Sequence, residues 1–293
     1  MPLQFTVLAS GSAGNASLIQ ANGFGFLLDA GLGPRKLGAR LAAVGASWGQ
    51  VRAVLLTHTH ADHWKDKTLI QLHRRRIPLY CHADHHEALL AYGAGFASLC
   101  ADDLVRSYDA AEDFRLAPGL RCKPLPLRHD GGVTFGFRLE SSSDLFDPPV
   151  ALGYVADLGS WDLELARGLA DVDLLALEFN HDVDLEYTSG RSPYLIARIL
   201  GEEGHLSNTQ AVGLLREVLR LSTPGRLRQV VQLHLSRDCN RPDLAAEAAR
   251  HVLVEAAYSV QLYTASQDVP SPTLLTPSNG CLLDSEQMSR AAM

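Results

Sequence analysis

The stretch that most constrains this chain is a short group of histidines and an aspartate directly after an apolar segment. Residues 51–56 (VRAVLL) have the aliphatic and β-branched character of a buried strand, and the segment that follows contains His58, His60, Asp62 and His63. His58 and His60 are two residues apart, so on an extended backbone their side chains project to the same side. Imidazole nitrogens and carboxylate oxygens bind divalent metals. The pattern predicts a metal site at a strand end, and the turn at Asp62 and His63 predicts a second metal position beside it.

Later apolar runs end in the same way. The runs 125–127, 150–156, 172–177 and 229–233 are followed by His129, Asp157, Glu178 and His234, and His181 comes shortly after the third of them. In sheets covered by helices, functional residues gather at one end of the strands. The sequence therefore predicts that these side chains meet the first group in one metal cluster.

Strand and helix patterns alternate along the chain. Further strands are expected at 3–9, 16–20, 24–28, 79–81 and 260–264, and helices at 34–44, 65–75, 85–92, 162–169, 193–200, 207–221 and 241–257. The sequence predicts an α/β chain with one domain at residues 1–266, built from two similar strand-rich halves. From Gln267 onward, Pro- and Ser-containing sequence without periodicity predicts a loosely ordered C-terminal tail, 267–293.

Composition limits the class of protein. Hydrophobic residues make up 46% of the chain and charged residues 20%, as in soluble globular proteins. No apolar run approaches the ~20 residues of a membrane span, and no secretion signal is recognisable. The five cysteines are scattered and never form a CxxC pair, which predicts free thiols in a reducing cytoplasm. The formal charge of −7 argues against broad nonspecific binding to nucleic acid.

Two weaker features accompany the histidines. The Gly- and Ser-rich turn from Ser10 through Ser12 to Asn15 exposes backbone N–H groups and small polar side chains that can hold a phosphate, although an ordinary hairpin turn explains it equally well. His205 stands just before a helix that begins near Asn208 with a capping-box pattern. A histidine there is either structural or functional.

These residues together resemble a known family. The segment Thr57-His-Thr-His-Ala-Asp-His63 is similar to the HxHxDH signature of the metallo-β-lactamase fold, and His129, Asp157 and His234 follow in the order of its later motifs. Asp29, in Leu-Leu-Asp-Ala-Gly, resembles the buried aspartate that supports the metal loop. The segments 8–15, 178–182, 204–208 and 234–236 resemble the YycJ/WalJ-type branch of this family. The resemblance covers residues 3–266 and implies an αββα four-layer sandwich, in which two mixed β-sheets are flanked by helices.

The resemblance also implies roles for individual residues. One divalent metal ion would bind His58, His60 and His129, a second would bind Asp62, His63 and His234, and Asp157 would bridge them. Zinc and manganese suit such ligands best, and iron also fits. Asp62 and His205 would take part in catalysis. Phosphate-binding residues would be Ser10, Ser12, Asn15 and Asn208, and residues that support the ligands would be Asp29, Glu178 and His181.

The function that this resemblance implies is metal-dependent hydrolysis of phosphodiester bonds, as in a 5′ to 3′ DNA exonuclease of the bacterial cytoplasm. Two metal ions supply the nucleophile, so no catalytic Ser or Cys is needed. DNA would then be the substrate, with no membrane partner. Two alternatives stay open: the same site acting on a small phosphodiester, a thioester, another ester or a lactam, and a non-catalytic protein that serves as a scaffold or DNA-binding partner. The presence of all seven candidate ligands disfavours the scaffold.

Overall fold

Six strands from residues 4–108, joined by one strand near the C-terminal end of the described residues, build a seven-stranded sheet. The structure is a computed structural model that describes residues 2–21, 23–141, 149–255 and 259–276. The strands of this sheet are β1 (Gln4–Ala9), β2 (Ala16–Ala21), β3 (Phe24–Leu28), β4 (Val51–Leu55), β5 (Leu79–His82), β6 (Val105–Tyr108) and β14 (Leu274–Leu275), in the order β14-β1-β2-β3-β4-β5-β6. Strands β3 to β6 pair in parallel, whereas β14, β1, β2 and β3 pair antiparallel, so the sheet is mixed.

Residues 114–264 build a second seven-stranded mixed sheet. Its strands are β7 (Phe114–Ala117), β8 (Leu120–Leu127), β9 (Thr134–Ser141), β10 (Val150–Val155), β11 (Leu174–Glu178), β12 (Gln229–Leu233) and β13 (Gln261–Thr264), in the order β13-β12-β11-β10-β9-β8-β7. Strands β10 to β13 are parallel, and β7 to β10 are antiparallel. Most predicted ligands follow the carboxyl ends of the parallel strands β4, β10 and β12, whereas His129 follows the antiparallel strand β8.

Helices connect and cover these strands. They are α1 (Pro34–Ala43), α2 (Asp66–Arg75), α3 (His86–Ala91), α4 (Ala94–Ala101), α5 (Leu163–Leu169), α6 (Val183–Thr188), α7 (Pro193–Leu200), α8 (Asn208–Leu221) and α9 (Pro242–Glu255). Apolar residues of α1, α2 and α4 pack on the outer face of the first sheet, and those of α5, α8 and α9 pack on the second. The αββα sandwich is therefore confirmed.

Side-chain alternation along each strand produces these layers. In β3, Phe26 and Leu28 point into the cluster between the two sheets, whereas Leu27 points outward to the helices. Phe137 and Tyr154 face the same inter-sheet cluster from the second sheet. Full burial of a large apolar side chain contributes roughly 1.5–3 kcal/mol, so the inter-sheet layer holds the strand ends firmly in place.

The C-terminal region differs from the expectation. Ser271 Oγ accepts a hydrogen bond from Val7 N at 2.9 Å, Thr276 Oγ1 accepts one from Leu3 N at 2.8 Å, and β14 pairs with β1. The prediction of a loosely ordered tail is therefore wrong for residues 267–276, because side-chain hydrogen bonds and strand pairing replace the missing apolar periodicity. Residues 277–293 lie outside the described residues.

Two further expectations concern cysteines and membranes. Cys81, Cys100, Cys122 and Cys239 are free thiols, as predicted, and Cys281 lies outside the described residues. Within the described ranges, every helix is too short or too polar to cross a membrane.

Candidate metal centre

Sharp backbone turns at strand ends aim several side chains at one point between the sheets. Asp29, Asp157 and His234 directly follow β3, β10 and β12 or lie one residue beyond, and their φ angles are 60°, 62° and 55°. Non-glycine residues seldom adopt this left-handed conformation, which carries strain and clusters at functional sites. Here it reverses the chain at the strand end and turns each side chain into the site.

The first predicted ligand group is assembled. Ring nitrogens of His58, His60 and His129 lie within 4.8 Å of one another, and His60 Nδ1 is 3.1 Å from His129 Nε2. His58 Nε2 is buried and has no hydrogen-bond partner among the described residues. Burial, reinforced by the neighbouring His63, holds the pKa of His58 well below its usual range, and burial also lowers the pKa values of His60 and His129. All three imidazoles are therefore neutral, the form that binds metal.

The second predicted group lies beside the first. Ligand atoms of Asp62, His63 and His234 are within 4.8 Å of one another, and Asp157 forms a further such group with His58 and His63. His234 Nε2 is buried without a partner in the described part of the chain. Asp157 Oδ2 likewise makes no hydrogen bond of normal geometry, although His63 Nε2 is 3.0 Å away. Buried ligand atoms left unpaired in this way cost free energy unless a cation binds them, so the donor set fits two divalent ions.

Asp29 lies against the metal loop. Its carboxylate is fully buried, accepts a hydrogen bond from Thr57 N at 2.9 Å, and lies 2.7 Å from His63 Nδ1. A carboxylate on one ring nitrogen fixes the imidazole tautomer and leaves the other nitrogen free for a metal. Asp29 therefore directs His63 Nε2 toward the ligand group.

Glu178 orients two histidines at once. Its Oε1 lies 2.8 Å from His205 Nδ1 and 2.9 Å from His234 Nδ1, and its Oε2 accepts hydrogen bonds from the backbone N–H groups of Leu158 and Leu206. Burial opposes the charge on Glu178, but the imidazoles of His205 and His234 outweigh it and lower the pKa to about 2. Glu178 thus remains ionised and directs His234 Nε2 toward the metal group and the other edge of His205 toward solvent.

Three predicted phosphate-binding residues are placed differently from the expectation. Ser10 is buried and its hydroxyl accepts a hydrogen bond from His234 N at 2.8 Å. The Asn15 amide is buried and donates to Asp62 Oδ2 at 3.1 Å, so both residues hold ligands rather than substrate. Asn208 is buried in a reciprocal amide pair with Asn240. Direct substrate binding by these three is therefore a wrong prediction. Sequence spacing alone cannot reveal that their polar atoms are already used inside the protein.

Two other predicted site residues differ in position, since one lines the cleft and the other is buried. Ser12 is exposed and lines the cleft above the ligands, as a phosphate-binding residue should. His181 is fully buried, and neither ring nitrogen has a hydrogen-bond partner among the described residues. It makes no hydrogen bond to a ligand among the described residues, and its supporting role stays a prediction.

An open cleft of about 530 Å³ lies over the ligands. Asp62, Asp157, His205 and His234 line its floor, and Leu195 and Arg198 of α7 line its wall. Although α7 is an apolar helix, it has no buried residue. It therefore borders the cleft instead of packing into the core.

Cationic groups in the cleft wall were not predicted from the sequence. Arg198 bonds to Asp130, and Arg191 contacts Glu186 at 3.0 Å and Asp238 at 3.0 Å. Arg198 lies on α7 and Arg191 lies in the loop before it. Arginines in such positions are usually solvated, and only the tertiary fold brings α7 over the strand ends. The sequence carries no local signal for their position.

Comparison with known proteins agrees with this geometry. Residues 25–226 match the family model described as the β-lactamase superfamily domain. The chain belongs to the β-lactamase superfamily. Over 268 residues it is 25% identical to exodeoxyribonuclease YycJ of Bacillus anthracis, covering 89% of this chain and 92% of that protein. It is 23% identical to exodeoxyribonuclease WalJ of Streptococcus pneumoniae, covering 92% and 96%.

Solved structures support the fold. The metallo-β-lactamase fold protein YhfI from Bacillus subtilis superimposes with a TM-score of 0.64 at 18% identity, covering 92% of this chain and 99% of that one. Zn²⁺-bound PqqB from Methylobacterium extorquens gives a TM-score of 0.62 at 17% identity, with 92% and 99% coverage. The protein is thus a metallo-β-lactamase-fold hydrolase with residues placed to hold metal ions.

Proposed function

We propose that this protein is a metal-dependent exonuclease that hydrolyses the phosphodiester bonds of DNA from the 5′ end, with duplex DNA as the preferred substrate. The observation that carries the proposal is the pair of adjoining ligand groups at the floor of an open cleft, where buried His58 Nε2 and His234 Nε2 lack any partner in the described residues. Zinc or manganese would occupy both groups, and iron also suits these ligands.

Metal ions bound here would polarise a phosphodiester and supply a nucleophile at neutral pH. The protein supplies the remaining functions. Asp62 is the least buried carboxylate of the two groups and lines the cleft, so it can orient the attacking water. Arg191 and Arg198 line the cleft wall, where each is paired with a carboxylate, and their guanidinium groups can also bind a phosphate that enters the cleft.

His205 is the residue that we assign to proton transfer. Glu178 lies against its Nδ1, which leaves Nε2 for the cleft, and about a fifth (21%) of the side chain is exposed. A histidine in this position can donate a proton to the leaving oxygen when the phosphodiester bond breaks. Asp157 Oδ1 and Glu178 Oε1 lie 3.7 and 2.8 Å from Nδ1 and hold the ring in this orientation.

The proposal that DNA is the substrate rests partly on the similarity to two named proteins. Two proteins named exodeoxyribonucleases match nearly the whole chain, although at 25% and 23% identity. The openness of the site also favours a large substrate, since α7 borders the cleft from one side without burying its own side chains. Free thiols on four described cysteines support a reducing compartment such as the cytoplasm.

The test is cleavage of 5′- and 3′-labelled single- and double-stranded DNA by protein reconstituted with manganese or zinc. Asp62→Ala and His63→Ala proteins, checked for folding, serve as controls. We expect metal-dependent shortening from the 5′ end of duplex DNA by the wild type and none by either variant. Absence of cleavage by a protein that holds both metals would refute the nuclease and favour a small phosphodiester or another ester.

A further inference from the structure

The charges of this chain are unevenly distributed. Residues 1–76 contain nine Lys and Arg but only three Asp and Glu, although the whole chain has a formal charge of −7. Two of those acids, Asp29 and Asp62, belong to the metal centre. The third, Asp66, turns inward and accepts a hydrogen bond from Gly95 N at 2.8 Å. The N-terminal segment therefore presents cations to solvent without acidic neighbours of its own.

Some of these cations lie at the rim of the metal centre. Helix α1 follows β3 after a short loop and α2 follows β4 after the metal loop, so both helices begin at the end of the sheet that carries the ligands. Arg35 and Lys36 are exposed in the first turn of α1, and Lys67 is exposed in the first turn of α2. Lys65 Nζ donates a hydrogen bond to Ala61 O within the metal loop itself. The positive surface therefore starts at the site of chemistry.

The remaining cations continue along the same helical layer. Arg40 lies on α1, Arg74, Arg75 and Arg76 lie at the end of α2, and Arg52 is exposed at the start of β4. The Arg75 guanidinium lies 5.8 Å from the ring centroid of Trp48, which also borders α1 at Gly38. A ten-residue helix such as α2 spans about 15 Å, a length over which duplex DNA carries roughly nine phosphate charges.

Most of these nine cations form no ion pair among the described residues. Only Arg76 of the nine forms an ion pair among the described residues, with Asp102 at 3.1 Å. In the helical layer on the opposite sheet, Arg216 pairs with Glu255 and Arg220 pairs with Glu217. The other eight cations form no ion pair among the described residues, and such a group of unneutralised charges on one face favours contact with an anion.

We propose that the exposed cations of α1, α2 and the start of β4 form a phosphate track that holds a DNA duplex and leads its end to the metal centre. This inference deepens the proposed function and rests on it. The track reconciles DNA binding with the acidic net charge, because nucleic-acid affinity depends on the local arrangement of cations. Of the exposed large apolar side chains in the described residues, none lies on α1 or α2, so this face offers no anchor for a lipid surface.

The experiment compares two triple variants that remove the same charge. The track variant carries Arg35→Gln, Lys36→Gln and Lys67→Gln. The control variant carries Arg216→Gln, Arg220→Gln and Arg250→Gln on α8 and α9. Binding of metal-loaded protein to a short fluorescent duplex with phosphorothioate linkages is measured as a function of salt concentration. Hydrolysis of bis(p-nitrophenyl) phosphate and thermal unfolding report on the metal centre and the fold.

We expect the track variant to bind the duplex about tenfold or more weakly at low salt, with a log–log salt slope shallower by up to about 2.7, since each phosphate contact contributes about 0.9. The control variant should bind like the wild type, and all three proteins should hydrolyse the small phosphodiester equally. If the wild type cleaves DNA but track and control variants bind alike, the track is refuted while the proposed function stands.

Other outcomes separate the two proposals further. Track-dependent binding by a wild type that cannot cleave DNA would support the track and refute the nuclease. A wild type that hydrolyses the small phosphodiester but neither binds nor cleaves duplex would overturn both. Track-dependent binding to phosphatidylserine vesicles, without binding to DNA, would show that the surface serves a membrane and would refute the track as proposed.

Discussion

The substitution Glu178→Gln isolates the role of one carboxylate in the proposed metal centre. Glu178 Oε1 accepts hydrogen bonds from two imidazoles, and Oε2 accepts hydrogen bonds from two backbone N–H groups. A glutamine of the same shape can satisfy only one of these pairs. If its oxygen keeps the backbone donors, its NH₂ faces His205 Nδ1 and His234 Nδ1. The His234 ring then gains a hydrogen bond by moving its proton to Nε2, which is the nitrogen needed for metal.

The expected magnitude follows from this geometry. Losing a partner that fixes the tautomer of a metal-binding histidine typically weakens metal affinity by about 10–100-fold, or roughly 1.4–2.7 kcal/mol. The loss should be largest in the group of Asp62, His63 and His234, because among the described residues Glu178 hydrogen-bonds to His234 but not to His58, His60 or His129. Manganese content at equilibrium with a competing chelator should therefore show one tight and one weakened site.

Glu140→Gln is a suitable control, because Glu140 is bonded to Arg121 and Arg138 on the second sheet and touches no predicted ligand. It should bind both ions like the wild type. Two sites of unchanged affinity in Glu178→Gln would refute the reasoning.

Three further predictions concern His205, Asp29 and His85. His205→Ala should retain the wild-type metal content in elemental analysis but lose about 10²–10⁴-fold in turnover, because the ring donates a proton and does not bind metal. Asp29→Asn should weaken manganese binding in calorimetry by about 10–100-fold, because the ring of His63 loses its carboxylate partner. His85 is buried against Val133 O, and burial lowers its pKa to about 4. Since this folded-state pKa lies below the unfolded value, its contribution to stability is complete above about pH 6.5 and falls by up to about 3 kcal/mol as the pH drops to 4. His85→Gln should lose less stability over this interval in urea unfolding.

Each of these predictions has an outcome that contradicts it. Loss of metal from His205→Ala would make this residue a ligand, as its proximity to Asp157, Glu178 and His234 permits. Wild-type manganese affinity in Asp29→Asn would show that the buried carboxylate does not orient His63. Parallel pH profiles of wild type and His85→Gln would show that His85 does not titrate in this range.

The cluster of candidate metal ligands could be predicted because strand ends leave a strong local pattern. The apolar runs before His58, Asp157 and His234 are short, regular and bounded by polar residues, so both the strands and the ligands are visible in the sequence. Their meeting point then follows from the architecture. The less regular strand β9 was missed, because Gly136 and Arg138 interrupt its apolar run and its position is set by pairing with β8 and β10.

The surroundings of the metal centre could not be predicted in this way. Asn15 and Asn208 have side chains that can bind phosphate. In the folded chain, however, their amide groups donate hydrogen bonds to Asp62 and Asn240, respectively. Arg198 shows the opposite case, since nothing in its local sequence distinguishes it from a solvated helix residue. Which polar groups are satisfied internally depends on long-range contacts, and these exist only in the folded chain.

The most direct test of the central claim is anomalous scattering from crystals of the protein soaked in manganese. We predict two peaks, one among His58, His60 and His129 and the other among Asp62, His63 and His234, with Asp157 between them. A single peak, or a peak enclosed by Glu178 and His205, would contradict the proposed dinuclear centre and the catalytic roles built on it.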